Sequence, residues 1–473
     1  GNVSLNVVNS NSGFLKLDNG ESPISISTAT NVFSEIKFST PITISENKRL
    51  NVYNNYNADK YLKLSGVLSG KNIIIANCGT GIGGSVSLEG LNNCTGEVWA
   101  VSTNSRLNFA AGNVEETVGG DPYNIIRVFP GGRLTLSRYG NAIVNPLRTI
   151  VMEGQGVSGM GIFYNPGENN EKKHIPAPIT GDGGLQTSAN FVLSGSNTFT
   201  GPMKVSGGTL QIASMQNIGT GTLVVEGFGS TLSIVGRELK SFGTRTTDFN
   251  VGNNGGTALS LSDPDLVFTL DRELNMTLNS GGATAFGKAG AGELLITVPQ
   301  TFRNSGRMFE FDGGTVTVDY AAGASLYGSS INSQNRIGFR GGALNLRTTG
   351  SSTNMTQYLG DLWLYGDGGK LVVDNRNASG TMNVFVGSLV LKNSPDNGQA
   401  LSFEVLGDTS KVVWRSSDTN NATTGIWGAG RLVFQSSDWP VIASGTNLVS
   451  AYSGYTALAS TGSSGNALVE GSD

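Results

Sequence analysis

Short alternating apolar runs that follow glycine pairs recur along the chain. In the segment 207–212, Gly-Gly-Thr-Leu-Gln-Ile, Leu210 and Ile212 alternate with polar residues, as expected for a strand with one buried face. The pair Gly207-Gly208 can adopt backbone angles that are closed to other residues, and it predicts a turn directly before the strand. The same pattern occurs at 83–88, 131–136, 313–318, 341–346 and 368–373, with looser copies at 290–296 and 428–434.

The spacing of equivalent strands indicates how these units are arranged. Leu344 follows Val316 by 28 residues, and Leu371 follows Leu344 by 27. Repeats of roughly 20 to 50 residues are typical of solenoids and propellers, in which each repeat buries its apolar face only against its neighbours. A propeller blade needs four hairpin-linked strands in about 40 residues, and no series of Asn-Gly hairpins is present. The sequence therefore predicts an all-β fold, a right-handed parallel β-helix (β-solenoid) forming an elongated single array.

The composition gives no point at which to divide this array. Glycine accounts for 68 of 473 residues and charged residues for only 14%, while Asn, Ser and Thr fill the polar positions. We expect a continuous β-helix over residues 1–450, with an inserted loop around 164–183, where a solvated mixed-charge cluster (171–174) lies between prolines. Residues 451–473 are rich in Gly and Ser, and we expect the chain to continue, to be cleaved or to dock to a partner there.

Catalytic β-helices that act on glycans need either paired carboxylates or an Arg or Lys base beside calcium. The nearest carboxylate groupings are Glu115-Glu116 with Asp121, Asp263 with Asp265, and Glu310 with Asp312. Asp263 and Asp265 flank a proline and Asp312 precedes a glycine pair, so these aspartates are typical of turns. We therefore predict that the protein is not an enzyme, with no catalytic, cofactor-binding or metal-binding residues and no cofactor.

Other reactive residues are few. The only histidine, His174, lies in the predicted loop, and no nucleophile motif is near it. Cys78 and Cys94 either form a disulfide between neighbouring turns or are two small buried residues, and the sequence leaves both alternatives open. Two glycine-rich segments, 79–84 and 154–159, match the dinucleotide-binding pattern, but neither precedes a helical sequence.

Two of the aromatic residues fall on one face of a short apolar run. Trp363 and Tyr365 alternate with Leu362 and Leu364 in the segment Leu-Trp-Leu-Tyr-Gly. The two rings could form a strip for sugar stacking or partner binding, or they could be core residues while the two leucines face outward. We favour the core interpretation.

One segment resembles a known family. The sequence 193–212, Leu-Ser-Gly-Ser-Asn-Thr-Phe-Thr-Gly followed by a valine-bearing strand and Gly-Gly-Thr-Leu-Gln-Ile, is similar to the autotransporter-associated β-strand repeat, also called the passenger-associated transport repeat. A weaker copy spans 86–109, where Gly90, Asn92, Thr95 and Gly96 fall on the pattern, and a faint one spans 452–456. The resemblance implies a right-handed β-helix in a large bacterial cell-surface or secreted protein.

These observations together predict a function. We expect a non-enzymatic structural or adhesive protein, located outside the cell or on the bacterial surface, that acts as a passenger, a stalk or a subunit of a filament or coat. Its expected partners are glycans or proteins of a cell surface or host matrix, or further copies joined end to end or laterally. The net charge of −4 and the pI near 5.3 give no basic surface for nucleic acid, and no apolar run is long enough for a transmembrane helix. The alternative is a glycan-binding or glycan-degrading β-helix of the tailspike type.

Overall fold

The structure is a computed structural model, and it describes most of the chain between residues 15 and 449. The described residues are 15–17, 24–28, 35–54, 61–78, 85–101, 106–109, 121–136, 142–154, 160–163, 172–227, 229–250, 257–274, 285–300, 308–326, 336–365, 368–376, 378–386, 389–391, 401–406, 410–414, 432–434, 441–444 and 447–449. The chain divides into two compact units, Gly1–Val224 and Val225–Asp473.

Unit 1 is built from short parallel strands that stack turn upon turn. Its three-stranded sheet contains Leu15–Leu17, Ile42–Ile44 and Leu68–Ser69. Its seven-stranded sheet contains Ile24–Thr28, Arg49–Asn54, Ile73–Asn77, Gly96–Ala100, Ile125–Val128, Thr149–Met152 and Ile179–Gly181. A third series of neighbours is Glu35–Phe38, Tyr61–Leu64, Ser85–Leu88, Arg106–Phe109, Arg133–Thr135, Met160–Phe163, Gly184–Thr187 and Met203–Val205. A fourth is Ala142–Ile143, Lys173–Ile175, Phe191–Leu193 and Thr209–Ile212.

Unit 2 repeats the same architecture. One series of neighbours is Thr231–Ile234, Thr257–Leu261, Ala285–Ala289, Met308–Asp312, Arg336–Phe339, Asp361–Leu364 and Leu389–Leu391. A seven-stranded sheet contains Val267–Leu270, Glu293–Ile296, Thr315–Asp319, Ala343–Arg347, Gly369–Asp374, Leu401–Leu406 and Leu432–Phe434. The remaining sheets contain Pro299–Gln300 with Ser325–Leu326, and Met355–Tyr358, Met382–Val386, Ser410–Trp414, Val441–Ser444 and Asn447–Val449.

A few elements complete this set. Two further strands are Leu223–Glu226 and Thr247–Asn250. Two short 3₁₀ helices, Met215–Ile218 and Tyr320–Ala322, are the helical elements of the described residues. The pairing of Val441–Ser444 with Asn447–Val449 is antiparallel, whereas the other described strand pairs are parallel.

The glycine-led strands stack as their spacing predicts. Val316 pairs with Leu344, and Leu344 pairs with Leu371, so residues 28 and 27 apart in sequence lie side by side. All three side chains are fully buried. The prediction of an all-β parallel β-helix (β-solenoid) is confirmed, because successive turns place equivalent apolar residues in one inward-facing column.

Aromatic stacking fills part of the core of unit 2. The ring centroids of Phe286 and Phe309 are 5.5 Å apart, those of Phe309 and Phe311 are 4.6 Å apart, and those of Phe311 and Phe339 are 5.4 Å apart. These side chains are at most 2% exposed. Edge-to-face and tilted contacts of this kind stabilise a core beyond the burial of their area. They therefore add to the stability of the packing between successive turns.

The segment around 164–183, for which we expected an inserted loop, contains two strands, Lys173–Ile175 and Ile179–Gly181. Residues 164–171 lie outside the described residues. The prediction that the charged cluster is solvated is wrong for Lys173, whose side chain is fully buried. Lys173 alternates with His174 along the strand, and it therefore points inward beside Ile175.

Candidate functional site

The outer face of the seven-stranded sheet in unit 1 brings charged and aromatic side chains together. Along Ile125–Val128, Ile126 and Val128 point into the core, which places Arg127 on the outside. Strand register sets Trp99 directly beside Arg127 on the next turn. We call this group the Trp99 surface, and it consists of Arg49, Glu97, Trp99, Arg127, Phe129 and Glu153.

A ladder of alternating charge runs through the Trp99 surface. Arg127 donates from Nε to Glu97 Oε2 at 2.8 Å and from Nη2 to Glu97 Oε1 at 3.2 Å, and its Nη1 donates to Glu153 Oε1. Trp99 Nε1 donates to Glu97 Oε2 at 2.5 Å. The hydrogen bond from Arg127 holds the pKa of Glu97 below its usual value, and the hydrogen bond to Glu97 raises the pKa of Arg127. The three turns are thus joined by charge-assisted hydrogen bonds.

Aromatic rings lie beside this ladder. The Arg49 guanidinium carbon lies 4.7 Å from the centroid of the Trp99 ring, a cation–π contact. The Phe129 and Trp99 centroids are 5.4 Å apart, with ring planes inclined by 55°. Glu97, Arg127 and Glu153 are 23%, 26% and 30% exposed, so the charged groups remain open to solvent and to a ligand.

A second group of aromatic and charged residues lies on an outer face of unit 2, and it corrects the sequence interpretation. Leu362 and Leu364 are fully buried, whereas Trp363 and Tyr365 are partly exposed on the opposite side of the strand. The core interpretation of the two rings is therefore wrong. Because all four residues are apolar or aromatic, the alternation alone could not decide which pair faces inward.

Guanidinium groups from the preceding turn cover these two rings. Arg336 lies 4.4 Å from the Trp363 centroid, and Arg340 lies 3.8 Å from the Tyr365 centroid. Glu310 forms an ion pair with Arg340 at 3.5 Å. Burial, with a further contribution from the negative charge of Glu310, raises the pKa of Tyr365. This arrangement repeats the Arg-on-aromatic stacking of unit 1.

The carboxylate groupings found in the sequence have structural partners where they are described. Arg237 Nε lies 3.1 Å from Asp263 Oδ2, and its Nη2 forms an ion pair with Asp265. The Asp265 amide donates to Asp263 Oδ1 at 2.9 Å, which is the hydrogen bond of a turn. Asp121 likewise accepts from the Tyr123 amide, at 2.9 Å. Glu115-Glu116 and the segments 79–84 and 155–159 lie outside the described residues.

Glu310 and Asp312 do lie on one strand, Met308–Asp312, and the inward-facing Phe311 separates them. Asp312 is exposed and ends the strand before the turn at Gly313-Gly314. Glu310 forms an ion pair with Arg340, with 3.5 Å between Oε2 and Nε.

His174 and the two cysteines are also placed. His174 lies in a strand, not in a loop as we predicted, and its Nε2 is 2.7 Å from Ser194 Oγ. Cys78 and Cys94 are both free thiols. Burial raises the pKa of Cys94 to about 11, which makes it an inert core residue. Within the described part of the chain, no cluster of three or more His, Cys, Asp or Glu is arranged to bind a metal ion.

The contacts at the corner 195–201 explain why its glycines and asparagine recur in the weaker copy of the repeat. Asn197 is 4% exposed; its Oδ1 accepts from the Ile179 amide of the preceding turn at 2.8 Å, and its Nδ2 donates to the Asn217 carbonyl of the next turn. A Cβ atom added at Gly195 would lie 2.4 Å from the Ala177 carbonyl oxygen, and one at Gly201 would lie 2.3 Å from the Gly184 nitrogen. The buried amide satisfies the backbone, and the glycines let adjacent turns approach.

The weaker copy has the same geometry. Asn92 Oδ1 accepts from the Leu68 amide at 2.8 Å. A Cβ atom at Gly90 would lie 2.2 Å from the Gly66 carbonyl oxygen, and one at Gly96 would lie 2.0 Å from the Ile73 carbonyl oxygen. The two copies are therefore the same corner, although their sequences share few residues. The faint copy at 452–456 lies outside the described residues.

The Trp99 surface was missed in the sequence because its members are far apart along the chain. Arg127 and Glu97 are separated by 30 residues, and Arg49 and Trp99 lie on turns that are not adjacent. The available signal was the alternation Glu-Val-Trp within 97–99, which places the carboxylate and the indole on one face. That Arg49 and Arg127 lie beside these two residues follows only from the register between turns.

Comparison with known proteins agrees with the repeat geometry. Residues 188–212 match the family model of the Passenger-associated-transport-repeat. No curated protein and no solved structure matches the chain. Within the described residues, no helix has the length and apolar character needed to cross a membrane. The match covers the corner in which Asn197 joins two turns, and together with the stacked parallel strands it supports a β-helical repeat protein of the autotransporter-passenger type.

Proposed function

We propose that this protein is a non-enzymatic, extracellular or cell-surface β-solenoid of bacterial origin with a structural or adhesive role. It would act as a passenger, a stalk or a subunit of an extracellular filament or coat. The observation that carries the proposal is the passenger-type corner at 188–212, whose glycines and buried asparagine belong to the stack itself. A repeat of this family supports export from the cell.

The chemistry of the outer faces supports a role without catalysis. The described carboxylate pair Asp263 and Asp265 shares one arginine, and Glu310 is paired with Arg340. In the Trp99 surface, Arg127 joins the carboxylates of two other turns. Charged side chains that form ion pairs between turns stabilise the register of the strands, and this arrangement is not that of a proton-transferring pair.

Protease treatment of intact cells tests the location. Cells that produce the whole protein are exposed to a protease that cannot enter them, and the chain is followed with an antibody beside a cytoplasmic control protein. We expect the chain to be degraded while the control protein survives. A chain that is degraded only after lysis would contradict the proposal.

Two further measurements test the role. The purified chain is incubated with a panel of polysaccharides, and the release of reducing ends is compared with that of the heat-denatured chain. We expect no difference, and a sustained release would favour the glycan-degrading alternative. Negative-stain images before and after tenfold dilution test self-association, because end-to-end or lateral assemblies shorten or disappear on dilution.

A further inference from the structure

We propose that the Trp99 surface binds an uncharged, hydroxyl-rich saccharide chain. The inference rests on the proposed adhesive role and assigns a ligand class to it. The surface combines two aromatic rings, Trp99 and Phe129, with the hydrogen-bonding groups of Glu97, Arg127 and Glu153. Sites of this composition fix a ligand through apolar contact with the rings and orient it through a few polar groups.

The geometry matches the two sides of a sugar ring. A pyranose has an apolar face of C–H groups and an edge of hydroxyl groups. Trp99 and Phe129 belong to successive turns, and with centroids 5.4 Å apart the two rings are in contact and form one apolar patch beside the charged groups. Neighbouring strands of a sheet are about 4.8 Å apart, so a saccharide chain laid across the strands meets a new set of side chains at each turn.

The charge of the surface selects the class of saccharide. Two guanidinium groups, Arg49 and Arg127, are balanced by two carboxylates, Glu97 and Glu153, and Arg127 contacts both carboxylates. The four charges sum to zero, and Arg49 is held by Asn51 and the Trp99 ring, so a sulfated or uronate-containing chain gains no net attraction and approaches two carboxylates. An uncharged chain avoids this repulsion and uses its hydroxyl groups as donors and acceptors.

The polar groups are held in place before a ligand arrives. Arg127 makes three hydrogen bonds to Glu97 and Glu153, and Trp99 is bonded to Glu97. Glu153 is 30% exposed and has one oxygen that is not used by Arg127, so an acceptor remains for a hydroxyl group. Side chains that are already ordered lose little entropy on binding.

The unit 2 group is the weaker candidate for the same chemistry. Both of its rings are stacked with a guanidinium, at 4.4 Å for Trp363 and 3.8 Å for Tyr365. In the Trp99 surface only one of the two rings, Trp99, makes such a contact in the described residues, and Phe129 is not covered in this way. The inference is therefore made for unit 1 alone.

Affinity electrophoresis of the whole chain tests the proposal. The gel contains one polysaccharide at a time, from an uncharged set (β-glucan, xylan backbone, mannan, galactan) and an anionic set (polygalacturonate, sulfated glycan). We expect retardation by at least one uncharged polysaccharide and none by the anionic set. Trp99→Ala is expected to weaken retardation by about tenfold or more, because it removes a central aromatic contact, and Glu153→Gln by a smaller factor.

Controls separate binding from folding and from general stickiness. Trp99→Phe keeps an aromatic ring in the sheet and covers the case in which Trp99→Ala does not fold, and it is expected to retain part of the binding. Tyr123→Ser removes a side chain that is 68% exposed at a corner outside the Trp99 surface, and it is expected to bind as the unchanged chain does.

Several outcomes would overturn the inference. They are retardation by no uncharged polysaccharide, retardation only by anionic ones, or binding that is unchanged in folded Trp99 and Glu153 variants. Concentration-dependent self-association that disappears with Trp99→Ala would instead assign the surface to a second copy of the chain. The protease experiment on intact cells does not depend on these results, so a surface-located chain that binds no saccharide refutes this inference and leaves the proposed function standing.

Discussion

Replacing Asn197 by alanine tests the idea that a buried amide at the corner holds adjacent turns together. The Asn197 side chain accepts from the Ile179 amide at 2.8 Å and donates to the Asn217 carbonyl. Alanine leaves both backbone groups without this partner in a position that is only 4% exposed. An unsatisfied buried group costs about 1–3 kcal/mol, and we therefore expect Asn197→Ala to lower the local free energy of unfolding by about 2–4 kcal/mol.

Hydrogen exchange followed by mass spectrometry is the suitable assay, because repeat arrays need not unfold in one step. We expect faster exchange in peptides that contain the Ile179 amide, by about 30-fold or more for a loss of 2 kcal/mol. Asn197→Asp keeps an acceptor for the Ile179 amide and loses the donor, so it is expected to have an intermediate effect. Ser196→Ala, at an exposed neighbouring position, is the control and should change little. Exchange of Ile179 that stays within threefold in Asn197→Ala would refute the reasoning.

Three further predictions concern glycine, lysine and glutamate positions. Gly195→Ala is expected to destabilise unit 1 by more than about 1 kcal/mol, because its Cβ atom would lie 2.4 Å from a backbone oxygen. Gly229→Ala, at a left-handed glycine with open space around it, is the comparison variant and is expected to cost only the backbone strain, about 1 kcal/mol. Equal losses of stability in urea unfolding of the two variants would contradict this. Burial lowers the pKa of Lys288 from 10.5 to about 8, so the folded state loses this proton more readily than the unfolded state does. The free energy of unfolding is therefore expected to rise between pH 8 and 10.5, by at most about 3 kcal/mol. Melting temperatures measured across this range should rise in the unchanged chain and not in Lys288→Met. The pKa of Glu97 is lowered, chiefly by Arg127, so its stabilising contribution is present above its usual pKa of 4.5 and is lost as the pH falls through the lower folded value; an acid titration of Glu97→Gln that matched the unchanged chain would contradict this.

The sequence was sufficient to predict the strands and their stacking. A glycine pair followed by alternating apolar residues is a local signal, and the strands at 315–319, 343–347 and 369–374 pair in the register that their spacing indicates. The orientation of Trp363 was predicted wrongly, because both faces of its strand carry apolar or aromatic side chains; the signal for the outer face was Asp361, which alternates onto the same face as Trp363. The burial of Lys173 could not be predicted, because its neighbours in sequence are polar and charged.

The outer surfaces depended on information that a single sequence does not contain. The contact between Arg49 and Trp99 needs the register of three strands at once. The role of Asn197 likewise follows from the two turns that it joins, since an asparagine in a polar segment is equally typical of an exposed loop. Both features arise from packing between turns and leave little local trace.

The corner amides have a consequence for how such a chain can change over time. Asn197 reaches an amide 18 residues earlier, and Asn92 reaches the Leu68 amide 24 residues earlier, yet both hydrogen bonds are 2.8 Å long. The bond therefore fixes where a turn closes and leaves the amount of chain between closures free. Insertions and deletions between these points alter what one turn displays without moving its neighbours. Mutation can thus vary the segments between these hydrogen bonds one turn at a time while the stack of strands stays the same.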